Sequence, residues 1–235
     1  MTDDKSGRLM SLDALRGADM LFIMGFSSAV ISFCAWIGLK DCWLATQMTH
    51  VAWHGFRHHD TIFPLFLFLA GVALLAKVSG IPLALMGVLA GELLRTERFS
   101  GNRKALILLG AGLAALALTF AWMPWCPVNK KIWTGTFVLA SASYAFILLS
   151  VFYWIIDVKG FRRWSFFFRV IGLNSITIYV AMRFVGFSQM SRFFFGGLAG
   201  FGDKDWSAFV LAMGTVAIEW LVLLFLYRKN TFLKV

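Results

Sequence analysis

All four histidines of the chain fall within ten residues, in Thr49-His50-Val51-Ala52-Trp53-His54-Gly55-Phe56-Arg57-His58-His59-Asp60. Imidazole is the side chain most readily used as a base or nucleophile near neutral pH, so this loop is the most chemically loaded segment. Three chemistries fit it. One is catalysis by a histidine that a carboxylate orients, with Asp60 placed to hold His50 by a hydrogen bond. The second is zinc, because His50, His54 and His58 are spaced i, i+4, i+8 and would share a helix face beside Asp60; Gly55 in the middle weakens that helix, and no metal is expected. The third is plain: interfacial histidines, solvated and hydrogen-bonded, the preferred reading of His54, His58 and His59 taken singly. For Asp60 the corresponding plain reading is a helix N-cap.

The elements that must hold this loop are apolar. Of 235 residues, 60% are hydrophobic and only 34 are charged, 22 Lys or Arg and 12 Asp or Glu. Soluble domains run at about 45–50% apolar and about 25% charged, so a soluble globule is excluded. A spanning helix takes roughly 20 mostly apolar residues. The runs predict an all-α, polytopic membrane protein, one membrane domain over 1–235, with spans at about 18–39, 61–77, 81–94, 105–123, 137–156, 166–185 and 208–227. The third is short. A net charge of +10 would raise nucleic acid in a soluble chain; here the basic residues sit at span ends, where membrane topology explains them, and no nucleic-acid partner is expected. No removable signal is read in residues 1–17. Cys34, Cys42 and Cys126, without a CxxC, indicate neither a zinc knuckle nor a disulfide framework.

Lysine and arginine in short loops set the orientation. Arg95, Arg98, Arg103 and Lys104 mark one cytoplasmic loop, Lys159, Arg162 and Arg163 another, and Arg228, Lys229 and Lys234 a cytoplasmic C-terminus. Lys5, Arg8 and Arg16 put the N-terminus inside, which places the histidine loop outside and Lys77 inside again. Two cytoplasmic termini require an even number of spans, whereas about seven are read. The conflict falls on Ile81–Leu94, which would start and finish on the same side.

Ionisable and amide groups inside spans are expensive and mark candidate sites. Asp13 and Arg16 are i, i+3 at the start of the first span, where they can pair behind Ser11 as a cap. Asn174 and Ser175 sit near the middle of the sixth span, as cavity lining or interhelical glue. Asn129, Lys130 and Lys131 fall in an outer loop where lysines break the charge rule, and Glu219 lies deep in the last span.

Four stretches then carry a resemblance, in order: Ser11-Leu12-Asp13-Ala14-Leu15-Arg16-Gly17; His50-x-x-Trp53-x-Gly55 with Asp60-x-x-Phe63-Pro64-x-Phe66; Pro127-Val128-Asn129-Lys130-Lys131-x-Trp133-Thr134; and Gly172-Leu173-Asn174-Ser175-Ile176-Thr177-Ile178-Tyr179. Together they resemble the transmembrane acetyltransferases of the heparan-α-glucosaminide N-acetyltransferase type, in a bacterial form. The resemblance implies acetyl transfer from cytoplasmic acetyl-CoA, as co-substrate, to a glucosamine-type amino sugar at the outer face of a bacterial inner membrane. It puts His50 at the catalytic position, with Asp60 behind it. Ser27, Trp53, Asn129, Lys130, Lys131, Asn174 and Ser175 are the residues expected to bind acetyl-CoA or the sugar; Asp13, Arg16 and Pro64 are structural. Ser27 stands where animal members of the family carry Asn, and it lacks the amide's second hydrogen-bonding group.

Relatives of this type are longer, with roughly ten spans in bacterial forms. The similar sequence breaks between Lys77 and Ile81, so an N-terminal part, 1–79, and a C-terminal part, 81–235, are expected to meet near Gly80. About three spans missing there would restore even parity and would leave the coenzyme cavity short of walls, so weak or absent turnover is expected. The partners expected are the lipid bilayer, an amino-sugar acceptor and a second copy of the chain. The rival reading is a non-catalytic membrane protein: a transporter, a scaffold or a shortened product.

Overall fold

The computed structural model describes residues 9–52, 55–73, 82–130 and 133–231, and every regular element among them is helical. In order these are α1 (Met10–Leu21), a π-helical turn (Phe22–Phe26), α2 (Ser27–Trp36), α3 (Trp43–Gln47), α4 (His58–Ala73), α5 (Pro82–Arg95), α6 (Gly101–Trp122), α7 (Gly135–Phe152) with a π-helical end (Tyr153–Val158), α8 (Ser165–Leu173), α9 (Ser175–Phe184), α10 (Phe187–Ala199) and α11 (Lys204–Arg228).

Four stretches are long and apolar enough to cross a membrane: Met10–Trp36, Gly101–Trp122, Gly135–Val158 and Lys204–Arg228. The pair α8 and α9 makes a fifth only if it counts as one span, because it is bent by 66°. The seven spans read from hydropathy are therefore four or five among the described residues. The expected spans 61–77 and 81–94 correspond to α4, of 16 residues, and α5, of 14; residues 74–81 lie outside the described residues, and within them neither helix reaches the roughly 20 that a crossing needs. Gly80, the expected junction, lies outside the described residues. The protein is an integral membrane protein of the helical class.

The described residues form two compact units. The first takes the described parts of 1–16, 53–56 and 63–169; the second takes 17–52, 57–62 and 170–231. The first span passes from one unit to the other after Arg16, and α4 does so after Ile62.

In the first unit, Leu15, Leu65, Phe68, Leu69, Leu83, Leu94, Leu108 and Leu149 form a continuous buried cluster, completed by Ala90, Ala105, Ala142, Ala145 and Tyr153. The alanines let α6 and α7 lie close, and Ser150 Oγ crosses to donate to the Ala105 carbonyl at 2.7 Å. Asp157 Oδ2 accepts from the Ser11 backbone N–H at 3.3 Å, which satisfies one of the open donors at the start of α1. Arg16 lies 4.0 Å from Asp13 and also donates to the Leu69 carbonyl in α4 at 3.4 Å.

In the second unit the first span runs antiparallel to α11. Lys40 pairs with Asp205 at 3.1 Å, Trp36 lies on Trp206 with ring centroids 4.8 Å apart, and Phe33 lies on Phe209 at 5.4 Å. Asp203 caps α11 by accepting from the Trp206 N–H at 2.9 Å. Between the expected spans 166–185 and 208–227 lies α10, which buries Phe187, Ser191 and Ala199 and packs on α11, with Ser191 Oγ donating to the Leu211 carbonyl at 2.7 Å.

The α6–α7 crossing depends on having no side chain at Gly112. A Cβ there would sit 2.7 Å from Ile147 Cγ1 and 3.2 Å from the Ile147 backbone nitrogen, whereas a Cβ at Gly110 meets nothing within 4 Å. Gly112→Val is expected to destabilise the detergent-solubilised protein by about 1–3 kcal/mol through overpacking. Gly110→Val, which carries the same propensity change, is expected to be close to neutral. Paired thermal melts check the contrast.

Candidate functional site

The site is built in the second unit by a break in the first span. Within the π-helical turn Phe22–Phe26, Gly25 takes φ 110 and ψ 2, a conformation that costs glycine little and other residues more. The segment is a kink where two helices meet, and it ends at Ser27, buried at the start of α2, whose hydroxyl lies 3.4 Å from the Phe22 carbonyl and 3.3 Å from Nδ1 of His59.

Three short devices hold the loop that follows. Gly38, with φ 81, reverses the chain after α2, and the Leu39 N–H returns to the Cys34 carbonyl at 2.8 Å, a helix-terminating pattern. Cys42 then caps α3 through its sulfur, which accepts from the Ala45 N–H at 3.4 Å; that donation holds its thiol below the ordinary cysteine value. Gln47, at the end of α3, accepts the His58 backbone N–H at 3.0 Å. Arg57 donates to Thr49 Oγ1 at 2.6 Å and to the His50 carbonyl at 3.1 Å, which closes the loop from its own side.

Asp60 lies in the first turn of α4 and is only 1% exposed, against 58% for the His50 side chain. Its two oxygens take two donors: Oδ1 lies 2.9 Å from His50 Nδ1, and Oδ2 accepts from the Val51 N–H at 3.3 Å. A helix N-terminus favours an anion, and a carboxylate on one ring nitrogen fixes the tautomer. His50 therefore carries its proton on Nδ1, and Nε2 becomes its acceptor nitrogen. The His59 ring stands edge-on to His50 with centroids 4.4 Å apart. On the other side, the His58 ring stands edge-on to Phe22 at 4.4 Å, and Thr61 donates to the His58 carbonyl at 2.6 Å.

Of the residues singled out by sequence, His50 and Asp60 form one hydrogen-bonded pair and Ser27 forms another with His59; His59, one of the histidines expected to be solvated, joins the two pairs by its edge-on ring contact with His50. Its signal was weak: the contact with Ser27 depends on the Gly25 break, which periodicity does not show. Trp53, Lys131 and His54 lie outside the described residues. Among the described residues, no three His, Cys, Asp or Glu side chains are grouped to hold a metal ion. Pro64 is inside α4, where it cannot donate to the Asp60 carbonyl. Asn174 and Ser175 are buried, but at the break between α8 and α9 and not within a straight span. Asn174 Oδ1 accepts from Thr177 at 3.4 Å, while its Nδ2 has no hydrogen-bond partner among the described residues.

Asn129 and Lys130 belong to the first unit. Asn129 is buried; its backbone N–H donates to Thr134 Oγ1 at 3.0 Å, while the Thr134 N–H donates to the Asn129 carbonyl at 3.2 Å. The tip of the histidine loop lies in the same unit: Gly55, at φ 123, donates its N–H to the Val128 carbonyl at 3.2 Å, and Phe56 faces Phe137 at 6.2 Å.

A helical membrane protein with a carboxylate-held histidine is the class that the fold and the cluster define. Among curated proteins, the chain is similar to human heparan-alpha-glucosaminide N-acetyltransferase, 35% identical over 114 residues, and to its mouse counterpart, 32% identical over 114 residues. The matches cover 46% and 45% of this chain. The chain spans about one sixth of the length of these relatives, 17% of each. No family model matches the chain.

Burial sets a pH dependence. Desolvation holds His58 below the ordinary histidine value of 6.5, so the unfolded chain binds its proton at a higher pH than the folded one. The stability tied to neutral His58 is complete above that ordinary value and declines as pH falls towards the folded value. Melting temperature is expected to drop between about pH 7.5 and about pH 5.5, and His58→Gln is expected to flatten the drop in thermal melts across that range.

Proposed function

We propose that this chain is of the transmembrane acetyltransferase kind, and that its histidine loop is the acetyl-transfer site for an amino sugar at the outer face. The carrying observation is the His50 Nδ1 to Asp60 Oδ1 contact of 2.9 Å between an exposed imidazole and a buried carboxylate. Bound acetyl-CoA would supply an acetyl thioester. His50 presents Nε2 as base or nucleophile towards the reacting carbonyl. Asp60 fixes the ring and stabilises positive charge that develops on it. Ser27 offers a hydroxyl to His59, and Trp53, Asn129, Lys130, Lys131, Asn174 and Ser175 are the residues proposed, on the family resemblance, to bind acetyl-CoA or the sugar.

The sequence similarity to human and mouse heparan-alpha-glucosaminide N-acetyltransferase supports acetyl transfer to a glucosamine-type acceptor. A bacterial inner membrane with both termini cytoplasmic is the proposed setting, on the charge pattern of the loops. The proposed chain organisation joins an N-terminal part, 1–79, to a C-terminal part, 81–235, near Gly80. With about three spans fewer than bacterial relatives, the site has fewer walls around the coenzyme, and turnover is proposed to be slow.

The test is formation of N-acetylglucosamine from acetyl-CoA and glucosamine by the purified chain in lipid nanodiscs. His50→Ala is expected to reduce transfer to background. Asp60→Asn, which keeps size but removes the charge behind the ring, is expected to lose about 10²–10⁴-fold. Absence of CoA binding at millimolar concentration would instead mark a non-catalytic membrane protein.

A further inference from the structure

Resting on that reading of the site, we propose that His59 is a second catalytic histidine: it takes the proton of the acceptor ammonium while His50 passes the second proton of the amine to the leaving thiolate. Three observations carry this. The first is the edge-on ring contact, with His50 and His59 centroids 4.4 Å apart, so that a substrate reaching one imidazole reaches the other.

The second is the proton on Ser27. Its hydroxyl lies 3.4 Å from the Phe22 carbonyl and 3.3 Å from His59 Nδ1. A hydroxyl has one proton and two acceptor positions. Both contacts are satisfied together only when Ser27 donates to the carbonyl and accepts from an Nδ1–H. That makes Nε2 the acceptor nitrogen of His59, just as Asp60 makes Nε2 the acceptor of His50.

The third is position on the helix. His59 lies in the first turn of α4, one residue before Asp60, so the turn that holds the carboxylate against His50 also carries His59. Among the described residues, the charged and titratable groups near it include His50 on the preceding loop, and Arg57, His58 and Asp60 beside it in the chain. The kinked span contributes Ser27.

The step balances as follows. The sugar arrives as an ammonium, and one N–H bond breaks with its proton going to His59 Nε2. The freed nitrogen lone pair forms the C–N bond to the acetyl carbon, the C–S bond breaks, and the thiolate leaves. The second nitrogen proton goes through His50 Nε2 to the thiolate sulfur. The products are an amide, a thiol and the one proton left on His59, which passes to solvent.

This assigns His59 a signature that His50 does not have. An amine already deprotonated in solution no longer needs His59. His59→Gln is therefore expected to slow N-acetylglucosamine formation by about 10²-fold near pH 6.5 and to recover towards wild type near pH 9. His50→Ala is expected to stay at background at both values. Equal loss in His59→Gln at every pH would overturn the proposal, because a purely structural role predicts that.

A second measurement does not need turnover. Side-chain nitrogen NMR of histidine-labelled full-length protein in nanodiscs is expected to show His59 as the Nδ1–H tautomer, with Ser27→Ala altering the His59 signals and leaving those of His50. A His59 found as the Nε2–H tautomer also overturns the proposal. A wild-type chain that neither binds CoA at millimolar concentration nor makes product at any pH sinks the acetyltransferase reading and the role of His59 with it, while the tautomer still decides how the His59 ring is held.

Discussion

The bilayer imposes the constraint on which the rest of the fold depends: inside it, every backbone N–H and C=O must find a partner within the protein. Long, regular helices meet that demand, and α6 and α11 show it over 22 and 25 residues. Departures from regularity then need local compensation. The π-helical turn at Phe22–Phe26 has Ser27 Oγ near the Phe22 carbonyl. At the break after Leu173, the Asn174 carbonyl accepts the Ile178 N–H at 3.0 Å to start α9. The buried Ser27 and Asn174 stand at these two interruptions, and the candidate site has grown around the first.

Much of this was legible in the sequence. Composition was enough for an all-α membrane protein, because no soluble fold hides so many apolar side chains behind so few charges. The histidine loop was legible too, since chemistry-bearing residues crowded into ten positions stand out against apolar runs. Span count was less so. Hydropathy averages over a window and passes through Asn174, so 166–185 reads as one run where the chain bends by 66°. It likewise passes over α10, whose signal is a narrow stripe, Phe187, Ser191 and Ala199, one and then two steps of four apart.

His59 was the least legible residue. On spacing it is one histidine among four, and solvation is the ordinary fate of such a residue. Its role depends on Ser27, 32 positions away in sequence, and Ser27 is brought to it by a backbone break that only Gly25 hints at. Two histidines then have their Nδ1 atoms tied to different partners, one a carboxylate and one a hydroxyl. Such a division suits a reaction in which two protons leave one nitrogen by separate routes.

The break in the first span serves packing and site together. Gly25 leaves helical geometry at φ 110, ψ 2, so the span is two helices joined at a kink. Before the kink, Asp13, Ala14, Asp19 and Met20 are buried; after it, Ser27, Ala29 and Cys34 are buried. Straightening the segment would redirect α2, moving Ser27 relative to His59 and moving Phe33 and Trp36 relative to Phe209 and Trp206. The packing of α2 on α11 and the Ser27 to His59 contact therefore share one backbone break, and glycine is the residue that makes that break at least cost.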